Sequence, residues 1–111
     1  EGPAPFEYVN LKNQFVIPIV EERSVTGMMV MSLSIEVAPG SQEAVFAREP
    51  KLRDEFLRVL FAYATIGGFG GNFLEANDLK LVRADLTKAA QNVLGPIANA
   101  VLIVDMIRQD L

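Results

Sequence analysis

No cysteine, no histidine and no tryptophan occur anywhere in these 111 residues. Without thiol or imidazole the chain has no disulfide, no zinc site of the usual kind, no thiol nucleophile and no histidine general base. Ser32 and Ser34 alternate along one segment, but a serine triad of the usual type needs an imidazole and cannot form. A cysteine-free chain suits oxidising and reducing compartments alike, so this absence does not locate it. Positive charge is also scarce: ten Lys and Arg stand against fourteen Asp and Glu, with net charge −4 and pI near 4.7. Sequence-independent binding of nucleic acid needs clustered Lys and Arg, and here they are scattered. Long apolar runs are missing too. The longest uncharged one, Val59 to Leu74, is interrupted by four glycines and Asn72 and is too short to cross a bilayer as a helix. None of these residues reads as a signal peptide.

Half of the residues are hydrophobic, enough for one domain to bury a core without metals or cross-links. The chain opens on Glu1 rather than Met, and "EGPAP" has the composition of a proline-stiffened linker. Residues 1–7 are therefore expected to lead in from an upstream segment, and 8–111 to form a single domain.

"YVNLKNQFVIPIV" (8–20) is rich in β-branched and aromatic residues and reads as a strand. Pro18 cannot donate to a ladder, so this strand should pair on one side only. "EERSVTG" supplies a turn. A second strand follows over 25–38, with Met29, Met31, Leu33, Ile35 and Val37 on one face. From Ser41, a candidate N-cap with Glu43 in the first turn, the period becomes helical. The stripe runs Val45, Glu49, Leu52, Phe56, Val59, Leu60, Tyr63. Pro50 predicts either a kink or a short helix followed by a longer one that holds it in the first turn.

A second helix is expected over 77–93 on the stripe Leu79, Val82, Leu86, Ala90, Val93, ended by Gly95-Pro96. A final strand spans 100–111. Runs of strands beside runs of helices predict an α+β fold, a small antiparallel sheet with two main helices in the order β-β-α-α-β.

The segment "YATIGGFGGNF" (63–73) sets four glycines around Phe69. A phosphate-binding loop needs a preceding strand and a Lys-Ser/Thr pair. Here the preceding element is helical, no lysine follows, and Glu75 and Asp78 would repel an anion. The glycines predict a helix–helix connection in which Phe69 anchors the turn in an apolar pocket. A small-ligand or enzymatic site using the Gly67–Gly71 loop is the rival reading. No catalytic residue, metal ligand or cofactor site emerges, and a non-enzymatic domain is expected. Asp105, inside "VLIVDMI", is expected at a sheet edge with hydrogen-bond partners.

Apolar residues are in surplus. Met28 and Val30 point away from the face of Met29 and Met31. By alternation, Val101, Ile103 and Ile107 take one face of the last strand, and Leu102, Val104 and Met106 the other. Either helices cover more than one face, or a neighbouring copy or partner buries the remainder. Met28, Val30, Leu102, Val104 and Met106 are the candidate interface.

Two stretches carry a family resemblance. "EPKLRDEFLRVL" (49–60), with Pro50, Leu52, Arg53 and Asp54, is similar to the proline–x–hydrophobic–Arg–Asp helix of the flagellar basal-body-associated FliL family. "AVLIVDMIRQDL" (100–111), with Val101, Leu102, Asp105, Ile107 and Gln109, resembles its closing strand, and "YVNLKNQFVIPI" its first. The chain departs from the family pattern at Ile103 and Met106, where aromatic residues are usual, and in its glycine cluster. The resemblance implies a stomatin-like fold that assembles into rings. It also implies a single-pass protein of the bacterial inner membrane with this domain in the periplasm, anchored only through an upstream helix. Its implied partners are further copies of itself and the flagellar stator and basal-body proteins, and its implied role is in motility. Arg53 and Asp54 would then orient their helix within the fold, the alternative being contact with a neighbouring subunit. A stomatin-like scaffold unrelated to flagella is the nearest alternative.

Overall fold

The computed structural model describes residues 5–70 and 76–111, the side chains of 76–78 excepted. Four strands, β1 (Glu7–Asn10), β2 (Phe15–Glu21), β3 (Ser24–Val37) and β4 (Ala98–Asp110), form one antiparallel sheet. Three helices lie between β3 and β4: α1 (Gln42–Ala47), α2 (Glu49–Thr65) and α3 (Ala76–Leu94), the last followed by a 3-10 turn at Gly95–Ile97. The fold is α+β, as its strand and helix runs predict.

β3 is the spine. β1 and β2 follow one another along one of its edges and β4 runs the length of the other. The segment expected as one strand is thus two. Asn10 pairs with Ser34 and Phe15 with Met31, five steps on one side against three on the other. Two surplus residues are looped out between them. A one-residue slip would turn every side chain to the other face, whereas an offset of two preserves it. Val9 and Phe15 accordingly face the same core.

Pro18 sits on β2, which pairs with β3 alone, where a missing N–H costs no ladder bond. The β2–β3 hairpin turns on Glu22 and Arg23, with φ of 50° and 69°. Two central residues of positive φ are the pattern of a type I′ turn, whose twist matches that of the strands it joins.

Pro50 ends α1 and begins α2, occupying the first turn of the longer helix. Ser41 precedes α1, but its hydroxyl makes no capping hydrogen bond. Only its carbonyl contributes, accepting the Val45 N–H at 3.1 Å. Gly95, at φ 73°, ends α3 in the left-handed region open to glycine.

α2 lies over β2 and α3 over β4, on the same side of the sheet. Phe15, Ile17, Met29, Met31, Leu33 and Ile35 meet Leu52, Phe56, Leu60, Val82, Leu86 and Ala90, all buried. The Phe15 and Phe56 rings meet edge to face at 6.1 Å. Each such side chain contributes about 1.5–3 kcal/mol on leaving water. The molecule measures 50 × 29 × 20 Å, and its thinnest dimension holds two layers of about 10 Å each. Among the described residues, nothing covers the second face of the sheet.

Candidate interaction surface

The open face is written by the alternate residues of the same strands. Reading across the register, Val16, Val30 and Ile107 form one row and Pro18, Met28 and Gln109 the next. Val20 and Val25 close the hairpin end. Val16 and Ile107 are each 48% exposed, high for β-branched residues on a sheet. Toward the other end the face becomes polar. Ser32 lies opposite Asp105, and Tyr8 opposite Glu36. The apolar half therefore lies against the hairpin, bounded by Gln109 and Asp105.

Two of the candidate interface residues, Met28 and Val30, take the face expected of them, and Leu102 pairs with Ser34 on the same side. Met106 does not. The ladder pairs Leu33 with Ile103 but Ser32 with Asp105, so Val104 is an extra, unpaired residue. This β-bulge shifts the alternation by one. Met106 now pairs with Met31 and packs against the core, while Ile107 joins Val30 on the open face. Val104 itself protrudes at 61% exposure. Alternation alone exchanged Met106 and Ile107, and it passed over Val16, Val20 and Val25. The period of "FVIPIVE" was the signal that could have found Val16 and Val20.

Each edge of the sheet is blocked at particular points. On β4, the Val101 N–H donates to Thr87 Oγ1 of α3 at 3.0 Å. Farther on, the Met106 N–H donates to Asp105 Oδ1 at 3.0 Å, so the aspartate satisfies its neighbour's backbone at the bulge. Arg108 and Asp110 pair at 3.3 Å beyond it. Along β2, Pro18 offers no N–H. The looped-out carbonyls of Asn13 and Gln14 accept Arg53 Nη1 and Nη2 at 3.0 and 2.6 Å. Bulges, proline and charged side chains are the means by which edge strands avoid adding another strand.

Arg53 thereby acquires a definite structural task. Its guanidinium holds both carbonyls of the β1–β2 break and stacks 4.3 Å above the Phe15 ring. Its neighbour Asp54 is exposed and pairs with Arg58 at 3.3 Å within α2. Leu52 is fully buried and Pro50 starts the helix. Gln109 lies beside Met28 on the open face. Of the resemblance-bearing residues of α2, Pro50, Leu52 and Arg53 thus shape the fold, while Asp54 makes a surface pair.

The glycine segment is described as far as Gly70; Gly71, Asn72 and Glu75 lie outside the described residues. Gly67 takes φ 81°. A Cβ at Gly68 would fall 2.2 Å from the Tyr63 ring, so the close approach itself demands glycine. The Phe69 ring is buried and meets Tyr63 edge to face at 4.9 Å. Its carbonyl accepts Arg108 Nη1 at 3.4 Å, tying the loop to β4. The Glu21 carboxylate sits 3.0 Å from a Cβ position on Gly70, and the nearby cation, Arg108, is paired with Asp110.

The hydroxyls of β3 are used in packing. Ser34 Oγ donates to the Val9 carbonyl at 3.3 Å, and Ser32 Oγ accepts Gln14 Nε2 at 3.4 Å. Tyr8 is raised above its ordinary pKa of 10.0 by its hydrogen bond to Glu36 and by that carboxylate's charge. Glu36 also accepts Asn99 Nδ2. Away from the sheet, a groove of about 540 Å³ runs between α2 and α3, rimmed by Glu55, Arg58, Asp85 and Lys88. No helix among the described residues is long and apolar enough to cross a membrane. The sequence matches no protein-family model, and no curated protein matches it either.

Proposed function

We propose that this domain acts by binding other polypeptides across the open face of its sheet and catalyses nothing. One observation carries the reading. The apolar half-face of exposed Val16 and Ile107, with half-buried Val30 and Met28, has no helix over it among the described residues, while each neighbouring edge is blocked at named points. A sheet whose edges resist strand addition and whose face remains apolar is suited to face packing. The sensitive test is Val30→Lys. It should leave the melting transition nearly in place and abolish association with the cognate partner in pull-down or light scattering. Unchanged association would reject the reading.

The FliL-like residues extend this proposal to a particular assembly. On that reading the domain is a non-enzymatic accessory of the flagellar motor, in the periplasm of a bacterium and held to the inner membrane by an upstream helix. There it associates with copies of itself in a ring and supports the stator units. What supports it is the ordered set from Pro50 to Gln109, together with the shielded sheet. Tethering raises local concentration, so surfaces too weak to assemble free in solution can assemble on a membrane. Deleting the gene should impair swimming under viscous load without abolishing filament secretion. Normal swimming under load would leave a stomatin-like scaffold outside the flagellum as the surviving alternative. A screen of nucleotides and metabolites for thermal stabilisation tests the rival ligand site at Gly67–Gly71, since a ligand of the folded state raises its melting temperature by mass action.

A further inference from the structure

We infer that the outer surface of the α2–α3 hairpin is a second contact, through which two copies of this chain pair about a two-fold axis running along the helical groove. The inference rests on the helices and does not depend on what covers the sheet. Arg48, just before α2, donates to the Val93 carbonyl near the end of α3 at 2.9 Å, so the start of one helix lies beside the end of the other. Counting inward places Glu55 within a turn of Lys88 across the groove, and Arg58 within a turn of Asp85. All four line the same cleft of about 540 Å³. The charges therefore form a checkerboard, negative facing positive at one level and positive facing negative at the next.

A two-fold axis along the groove lays each helix of one copy over the other helix of its mate. In a two-fold contact residue i meets j and j meets i. Glu55 then meets the second copy's lysine at 88, and Arg58 its aspartate at 85, each twice. No like charges are opposed among these four, and the cross-copy contacts would add to those Arg58 already makes within its own helix, with Asp54 at 3.3 Å and Glu55 at 4.0 Å. The same count sets Ala62, on the exposed side of α2, opposite Leu81, which is 61% exposed on the line continuing Asp85 and Lys88. A large side chain thus faces a small one, as helix packing across a groove requires.

The absence of cysteine makes the test clean. Ala62→Cys and Leu81→Cys are prepared as separate 111-residue proteins, mixed and oxidised. A mixed disulfide dimer should form in preference to either homodimer. In sedimentation at low salt, Arg58→Glu or Asp85→Arg alone should weaken self-association about tenfold, and the two together should restore it. A chain that stays monomeric at every concentration and forms no mixed disulfide overturns the inference. Equally, self-association that ignores the charge changes but is lost in Val30→Lys assigns the contact to the sheet. That result overturns the helix pairing while the proposed use of the open face stands.

Discussion

The two faces of this sheet are made from the same strands, residue by alternate residue, yet only one of them is finished. On the covered face Phe15, Met31 and Leu33 lie under Leu52, Phe56 and Leu86, with exposures at or near zero. On the open face Val16, Val30 and Ile107 occupy equivalent ladder positions with no helix above them. Toward the hairpin end both sides are apolar; what differs there is the geometry of the connections. Both long helices follow β3 and return to β4 on one side, so the described residues provide a single helical layer. The lesson is that an apolar residue in a strand does not mark the core. The core is where the crossing elements go.

The comparison is broken most severely at Phe56. Phe56→Ala should cost about 3–5 kcal/mol in chemical denaturation, since it removes a fully buried ring and its contact with Phe15. Val30→Thr, at the matching depth of the opposite face, should cost about 1 kcal/mol or less. Equal costs at the two positions would mean that the open face is covered in solution by the protein's own chain.

Arg53→Ala is next. It releases two backbone carbonyls and uncovers Phe15, and a loss of about 2 kcal/mol is expected. Arg53→Lys should not restore it, because an ammonium lacks the planar fork that spans both carbonyls. Full rescue by lysine would reduce the contact to simple charge. Gly68→Ala should cost about 1–3 kcal/mol, because the methyl group would displace the Tyr63 ring from Phe69 at the end of the covered layer. A neutral effect there would show that the loop is not part of that seal.

The hairpin tip belongs to neither face and serves as a control. Replacing Glu22 and Arg23 by Asn-Gly should stabilise the domain by about 1 kcal/mol, since those residues favour positive φ at both central positions. The smallest effect is on the open face itself. Glu36 raises the Tyr8 pKa above 10.0, so the folded state holds that proton more tightly than the unfolded chain does. The associated stability is present below the unfolded pKa and lost as pH rises through the folded one. A phenolate absorbance titration should show Tyr8 ionising after the unfolded tyrosine, and Glu36→Gln should bring it back toward 10.0.

Much of the architecture was legible because local periodicity carried it. The alternation Met29, Met31, Leu33, Ile35, Val37 marked the covered side of β3, and the stripe Leu52, Phe56, Leu60 marked that of α2. Pro18 announced a strand paired on one side, and Pro50 a helix start. The failures share a different origin. The break at 11–14 and the extra residue Val104 are offsets between strands distant in sequence, and no local pattern encodes how many residues the opposite strand spends over the same span. Ser41 had the chemistry of a cap and was not used as one. The resemblance gave Arg53 a structural duty but not its partners, because folding brought two looped-out carbonyls to it.

Composition and spacing therefore decided what this chain could not do, and which side chains would alternate or recur along each segment. Lacking imidazole and thiol, it could hold no histidine- or cysteine-based chemistry in any fold. Which apolar residues were buried, which edge of the sheet was blocked and which valines stayed in water were settled only when distant segments met. Burial is a property of neighbours, and the chain acquires its neighbours by folding.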